Sequence, residues 1–238
     1  LMLCGILYNL VCAYTTLTQP SLVLATAQRG WDLKPALPLY DLRMMYRLAF
    51  VDAHTALGAL GLAWEHALAA VDEALALGAR CLILVVGGLP KSRAGTVESK
   101  DLAGAREMVR DGIGELLGYA RPAGMALAIE PLHPMYAADR ACVNTMEHAN
   151  DLCDVLGAGL GLAVDAYHVW WDPHLEREIE RAGGTSPSRL LAYHISDWLV
   201  PTRDLLTDRG MMGDGVIDIR LLRSWMEAGG YRGFHEVE

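Results

Sequence analysis

Short apolar runs alternate with longer stretches of mixed polarity along most of the chain. Five runs stand out: 81–86 (CLILVV), 125–129 (MALAI), 159–164 (GLGLAV), 190–193 (LLAY) and 234–237 (FHEV). Runs of four to six apolar residues alternating with helical stretches predict parallel strands joined by crossover helices. The runs begin at 81, 125, 159, 190 and 234, intervals of 44, 34, 31 and 44 residues. Each interval has room for one helix and two loops, the cadence of a (β/α) barrel.

The intervening segments carry helical signals. Residues 63–77 (AWEHALAAVDEALAL) are strong helix formers with Ala63, His66, Ala67, Ala70 and Val71 at three- and four-residue steps, and Gly78 suits a C-terminal stop. Residues 101–119 start on Asp101 as N-cap and keep Leu102, Met108, Ile113 and Leu116 near one face. Residues 144–156 set Asn144 three positions before Glu147, a box-like start, with Leu152 and Val155 on an apolar stripe. Two further helices are expected over 176–182 and 217–228, the last entered through a tight turn at Gly213 and Gly215.

The first 60 residues fit this cadence poorly. Residues 1–14 are apolar but too short to span a bilayer, and no basic residue precedes Arg29. A buried strand-turn-strand accounts for them better than a signal peptide, despite the small residues Ala25-Thr26-Ala27. Residues 31–50 show no clear period. About 60 residues are few for three more strand-helix units at the ~35-residue spacing of a barrel of about 250 residues. The expected fold is therefore α/β, a (β/α)8 TIM barrel altered or incomplete at its N-terminus and lacking the last helix, in a single domain over 1–238.

Composition narrows the partners. With 238 residues and 53% hydrophobic content the chain can bury a sizeable core. Twenty Lys+Arg against 29 Asp+Glu give a net charge of −9, which disfavours nucleic acid and anionic membrane. A small molecule is the expected partner, with a homo-oligomer left open. Cys4, Cys12, Cys81, Cys142 and Cys153 are odd in number and lack zinc-site spacing, so they are expected to be reduced residues of a cytoplasmic protein. No glycine-rich phosphate loop is present, which argues against a nucleotide cofactor.

Four of the five runs lead directly to Glu130, Asp165, His194 and Glu238. These are oxygen and nitrogen donors for a hard or borderline divalent cation, with no thiolate among them. Because parallel strands of a barrel gather their C-terminal ends at one mouth, residues this far apart in sequence can converge on one ion.

The stretches LILVVGG (82–88), AIEPLHPMY (128–136), AVDAYHVWWDP (163–173), AYHISDW (192–198), DRGMMGDGVID (208–218) and GYRGFHEVE (230–238) form an ordered series along the chain. Together they resemble the sugar phosphate isomerase/epimerase family of xylose isomerase-like barrels, which includes tagatose and psicose epimerases, hydroxypyruvate isomerases and inositol-catabolism enzymes. Residues 1–60 carry no such likeness. The resemblance implies one divalent cation, Mn²⁺ or Mg²⁺ foremost and Co²⁺ or Zn²⁺ as alternatives, held by Glu130, Asp165, His194 and Glu238. Glu236 is a rival for the last position, because it lies two residues earlier on the same side of a strand.

The resemblance also implies isomerisation or epimerisation of a small sugar or keto-sugar by proton abstraction alpha to a carbonyl, through an enediolate, with Glu130 and Glu238 as acid/base pair. It gives His168 a contact to a substrate oxygen, against the alternative of a hydrogen-bonded core histidine. His133 either donates to substrate or stabilises the turn before Pro134. Arg209 binds a substrate oxygen or makes a surface salt bridge, and Arg203 is a weaker candidate for the same duty. Trp170, Trp171 and Trp198 form either an apolar wall for a sugar or plain core. Tyr136 stands where some epimerases of the family carry another acid. His54, His66, His148, His174 and His235 are assigned to surface or core. The alternatives are a lyase or dehydratase of the inositol-catabolism type using the same site, and a non-catalytic remnant that binds metal or sugar; a multi-zinc endonuclease would need more histidines and a basic groove.

Overall fold

A computed structural model describes residues 20–32, 60–89, 99–138 and 140–238. The chain divides into two compact units, Leu1–Ala79 with Pro90–Ser99, and Arg80–Leu89 with Lys100–Glu238. The expectations for residues 1–14 and for most of 31–50, together with Cys4, Cys12 and His54, lie outside the described residues.

The described part of the first unit contains helices α1 (Pro20–Asp32) and α2 (Leu60–Ala76). Ala25-Thr26-Ala27 sits inside α1. In α2 the three- and four-residue periodicity holds, with Ala63, Ala70 and Val71 buried and Gly78 at positive φ just past the end.

The second unit is built on a parallel sheet with the strand order β1 (Cys81–Leu84), β2 (Ala126–Ile129), β3 (Leu160–Asp165), β4 (Leu190–Ile195), β7 (Glu236–Val237). Each neighbour is the next strand of the same sheet in sequence, so every crossover brings the chain back one place along, as in a βα barrel. A separate antiparallel pair, β5 (Asp197–Trp198) and β6 (Arg209–Gly210), lies between β4 and β7 in sequence. β3 is buried at every position, the near-continuous apolar pattern of a strand covered on both faces. Ala128, Ala163 and Ala192 form one small-residue core layer, on which Cys81, Ile83 and Leu191 pack.

Helices cover this sheet. α3 (Leu102–Ala123) starts on Asp101, whose Oδ1 accepts from Gly104 N at 2.8 Å, and ends on Gly124 in the left-handed region. It buries Ala105, Ile113, Leu116, Leu117 and Ala120; Met108, expected on that face, is exposed. α4 (Met146–Leu156) is capped by Thr145, whose Oγ1 accepts from His148 N at 3.1 Å. The expected cap, Asn144, is buried instead, with Nδ2 donating to the carbonyls of Leu132 and Ala141. Val155, expected on the apolar stripe, is exposed, whereas Leu152 is buried. A short helix α5 (Ala166–Val169), then α6 (Leu175–Gly183) and α7 (Ile219–Ala228), complete the unit. Arg181 on α6 ties Asp151 and Asp154 of α4 to the buried Glu178, and Arg189 joins Asp154. Cys81, Cys142 and Cys153 are free thiols, and burial pushes Cys153 up to about 12. Among the described residues no helix is long and apolar enough to cross a membrane.

Candidate metal centre

Backbone pairing brings the strand-end residues together. Glu130 follows β2, and its N–H donates to Leu84 O at 3.0 Å, carrying the β1–β2 ladder one residue further. Asp165 ends β3 and stands opposite His194 of β4 in the parallel register. Glu238 follows β7, and its N–H reaches Ile195 O at 3.3 Å. Glu130, Asp165 and His194 are buried, and each offers one donor atom within 4.8 Å of the others.

The orientations converge as well. Asp165 spends Oδ1 on the N–H of Tyr167 at 2.8 Å, the cap of α5, which leaves Oδ2 facing the centre. His194 Nδ1 stands 3.7 Å from Glu130 Oε2 and 3.2 Å from Glu238 Oε1. Neither approach has hydrogen-bond geometry, and this buried nitrogen has no partner. An orphaned ring nitrogen facing two carboxylates is the arrangement of ligands aimed at a common point rather than at one another. The donor set, carboxylates and one imidazole, fits a hard or borderline divalent cation.

Crowding perturbs the acids. Burial, with Asp165 and Glu238 adding like charge, pushes Glu130 up to about 8, against the opposing pull of Arg209. Asp165 is likewise raised by burial despite Arg209. Arg209, placed by the β5–β6 pairing of its backbone with Trp198, reaches into the cluster. Its Nη1 donates to Asp165 Oδ2 at 3.0 Å, to Glu238 Oε2 at 2.7 Å and to Ser196 Oγ at 3.3 Å.

His168 is buried on α5, with Nε2 3.2 Å from Arg209 Nη2. A guanidinium can only donate, so Nε2 accepts and the ring proton sits on Nδ1. Burial, Arg209 and neighbouring cations push His168 down to about 3, so the ring is neutral. Its approaches of 3.5 Å to Asp165 and 3.8 Å to Glu130 are therefore not ion pairs.

Aromatic residues adjoin this centre. Tyr167 carries the Arg209 guanidinium over its ring at 4.6 Å and stacks on Trp198 at 4.7 Å. His133 lies 5.1 Å from Trp198 and meets Trp171 edge-on at 5.6 Å. Its Nδ1 accepts from Met135 N at 3.3 Å, capping the turn Pro134–Tyr136, so of its two expected duties this nitrogen performs the structural one. Trp171 Nε1 donates to His168 O, and Tyr136 and Tyr167 both donate to Leu205 O. Arg203 turns away: its guanidinium is committed to Asp208.

Asp197 is the residue that sequence reading missed. Its buried Oδ2 accepts from the N–H groups of Gly213 and Gly215, and Oδ1 from Trp198 and Ile217, so one carboxylate shapes the whole GDG turn. The signal was an acid three residues beyond a candidate ligand, but nothing local pairs it with a turn sixteen residues away.

Among solved structures the chain is similar to protein SMc04130 from Sinorhizobium meliloti 1021, with 56% identity and a TM-score of 0.71 over 76% of this chain and 63% of that one. The IOLI protein with a bound zinc atom has 21% identity and a TM-score of 0.57, over 76% of this chain and 61% of that one. D-allulose 3-epimerase from Methylomonas sp., in complex with D-allulose, has 21% identity and a TM-score of 0.55, over 73% and 54%. The chain thus spans less than two thirds of the length of these relatives, and the two more distant likenesses are likenesses of fold. No curated protein matches the sequence. The family model described as the xylose isomerase-like TIM barrel matches residues 56–238, and the chain belongs to that family.

Proposed function

We propose that this chain binds one divalent cation through Glu130, Asp165, His194 and Glu238, and isomerises or epimerises a small sugar, keto-sugar or related compound. The observation that carries the reading is the convergence of three buried donors within 4.8 Å, with His194 Nδ1 left without a hydrogen bond. The epimerase among the fold relatives agrees with it. Mn²⁺ or Mg²⁺ suits the three carboxylates, while Co²⁺ or Zn²⁺ suits the imidazole.

The bound cation would act as a Lewis acid, lowering the cost of negative charge on the substrate's carbonyl and hydroxyl oxygens. The proton chemistry belongs to the protein. Removing a proton from carbon alpha to a carbonyl needs a carboxylate beside that carbon, and returning it to the other face or the neighbouring carbon needs a second acid or the same one repositioned. Glu130, poised by burial, and Glu238, at the more exposed edge, fill these two roles. Neutral His168, whose Nε2 faces the centre as an acceptor, takes a hydrogen bond from a substrate hydroxyl, Arg209 holds another substrate oxygen, and His133 and Trp171 face the C–H side of the sugar.

Metal analysis followed by solvent deuterium incorporation across a panel of ketoses tests this directly. Carbon-bound deuterium that appears only with metal, and is lost in Glu130→Gln, supports the reading. Exchange that survives chelation or that substitution refutes it.

A further inference from the structure

Three carboxylates around one point repel one another, and burial denies water to two of them, Glu130 and Asp165. Like charges this close and this poorly solvated are relieved by a nearby cation. Among the described residues, Arg209 supplies it. One nitrogen, Nη1, reaches both Asp165 Oδ2 and Glu238 Oε2, and the second, Nη2, rests on His168. The guanidinium is further held over the Tyr167 ring, and its backbone is fixed by pairing with Trp198. Burial opposes its charge, yet the surrounding carboxylates outweigh that and keep the charge on.

The two partners differ in freedom. Asp165 is fully buried, ends a central strand and has its other oxygen committed to Tyr167 N. Glu238 is exposed beyond a two-residue edge strand. Both are assigned to the divalent ion in the reading above, and the present inference rests on that reading. An oxygen donating its lone pairs to an ion has less to offer a guanidinium, and two cations at one carboxylate repel.

We propose that Arg209 is the resident counter-cation of the centre: its guanidinium bridges Asp165 and Glu238 while no ion is bound and lets go of Glu238 when an ion enters. Arg209 is then a positioning residue that sets ion affinity, and the ion competes with it for the same oxygens.

The test compares the wild-type chain with Arg209→Met and Arg209→Lys, by calorimetric titration with Mn²⁺ or Mg²⁺ and by melting of the chelated proteins. Arg209→Met should bind the ion roughly tenfold more tightly or better, because a competing charge is gone, and should melt lower than wild type when chelated. Arg209→Lys, which keeps the charge but loses the second nitrogen's contact with His168, should bind close to wild type and melt between the two. Unchanged or weaker ion binding by a folded Arg209→Met overturns the proposal. Should that variant fold only with ion present, the dependence itself supports the proposal; should it fail to fold at all, peptide-mapped phenylglyoxal labelling of wild-type Arg209 decides. Faster labelling in the ion-loaded than in the chelated protein supports release, and equal rates overturn it. A wild type that takes up no ion sinks the metal-centre reading as well, whereas a loaded wild type with an indifferent Arg209→Met sinks the role of Arg209 alone.

Discussion

His194 and Glu236 face each other in the β4–β7 ladder, and their side chains meet on the outer nitrogen of the ring: Glu236 Oε2 is 3.5 Å from Nε2, while Nδ1 is turned to Glu130 and Glu238. The two C-terminal glutamates thus touch opposite edges of one imidazole. Glu236 is placed to orient the ring and Glu238 to share its inner donor.

Glu236→Gln should keep stoichiometric binding of Mn²⁺ with affinity weakened by no more than about tenfold to a hundredfold, the range of a group that supports a ligand from behind. Glu238→Gln should lose more than that. Calorimetric titration of the two variants checks the order, and a reversal would move the ligand to Glu236.

Ion binding should release a proton at neutral pH. Glu130 is held up to about 8 by burial and its acidic neighbours, so it is mostly protonated near pH 7 and must ionise to coordinate. Titrations in buffers of differing ionisation heat should show release that shrinks as pH rises past 8. The stability sign follows. A carboxyl whose folded pKa is raised disfavours folding wherever the unfolded chain is ionised, so the chelated protein should lose stability as pH climbs from about 4.5 to about 8 and level off above. Melting against pH, with and without ion, reads this directly.

Asp197→Asn should cost about 1–3 kcal/mol, because an amide NH₂ replaces an oxygen among four backbone donors. Burial works to raise this carboxyl, and the N–H bonds from Ile217, Gly213, Gly215 and Trp198 more than offset it, holding it below the usual carboxylate range. Its stabilisation is present above the unfolded pKa and lost as pH falls through the lower folded one. Hydrogen exchange should show faster opening over 211–217 in the variant, and unaltered protection there would contradict the assignment.

Gly161→Ala should weaken ion binding without touching a ligand. An added Cβ would lie 2.5 Å from Arg189 O and 2.7 Å from the Leu191 side chain, so β3 and β4 must part. These strands carry Asp165 and His194. The expected outcome is a loss of about 1–3 kcal/mol in stability together with reduced affinity. Stability lost with affinity intact would show that the strand ends do not depend on this spacing.

The strand ends were legible because a buried parallel strand must be apolar throughout, so a Glu, Asp or His at its close breaks the pattern visibly. Positions 130, 165 and 194 stood out for that reason, and the structure brings them together; Glu238 closes a mostly exposed run that already holds His235 and Glu236, and the resemblance rather than the pattern preferred it. Helix registers were less legible: Asn144 and Thr145 are both good caps, and only the burial of Asn144 decides between them. Met108 and Val155 were assigned inward by spacing, but the helices turn them out. Asp197 and the bridging by Arg209 were invisible in the sequence, since each depends on a long-range partner that no periodicity encodes.

Asp165 and His194 occupy the same rung of adjacent strands. Main-chain hydrogen bonds therefore govern how far apart this acid and this imidazole stand, and substitutions that leave the β3–β4 pairing intact leave that interval largely alone. Loops at the rim can be exchanged for others that admit a different guest, while the inner pair keeps its spacing. An engineer seeking new selectivity from this scaffold would do well to rewrite 199–208 and leave the rung untouched.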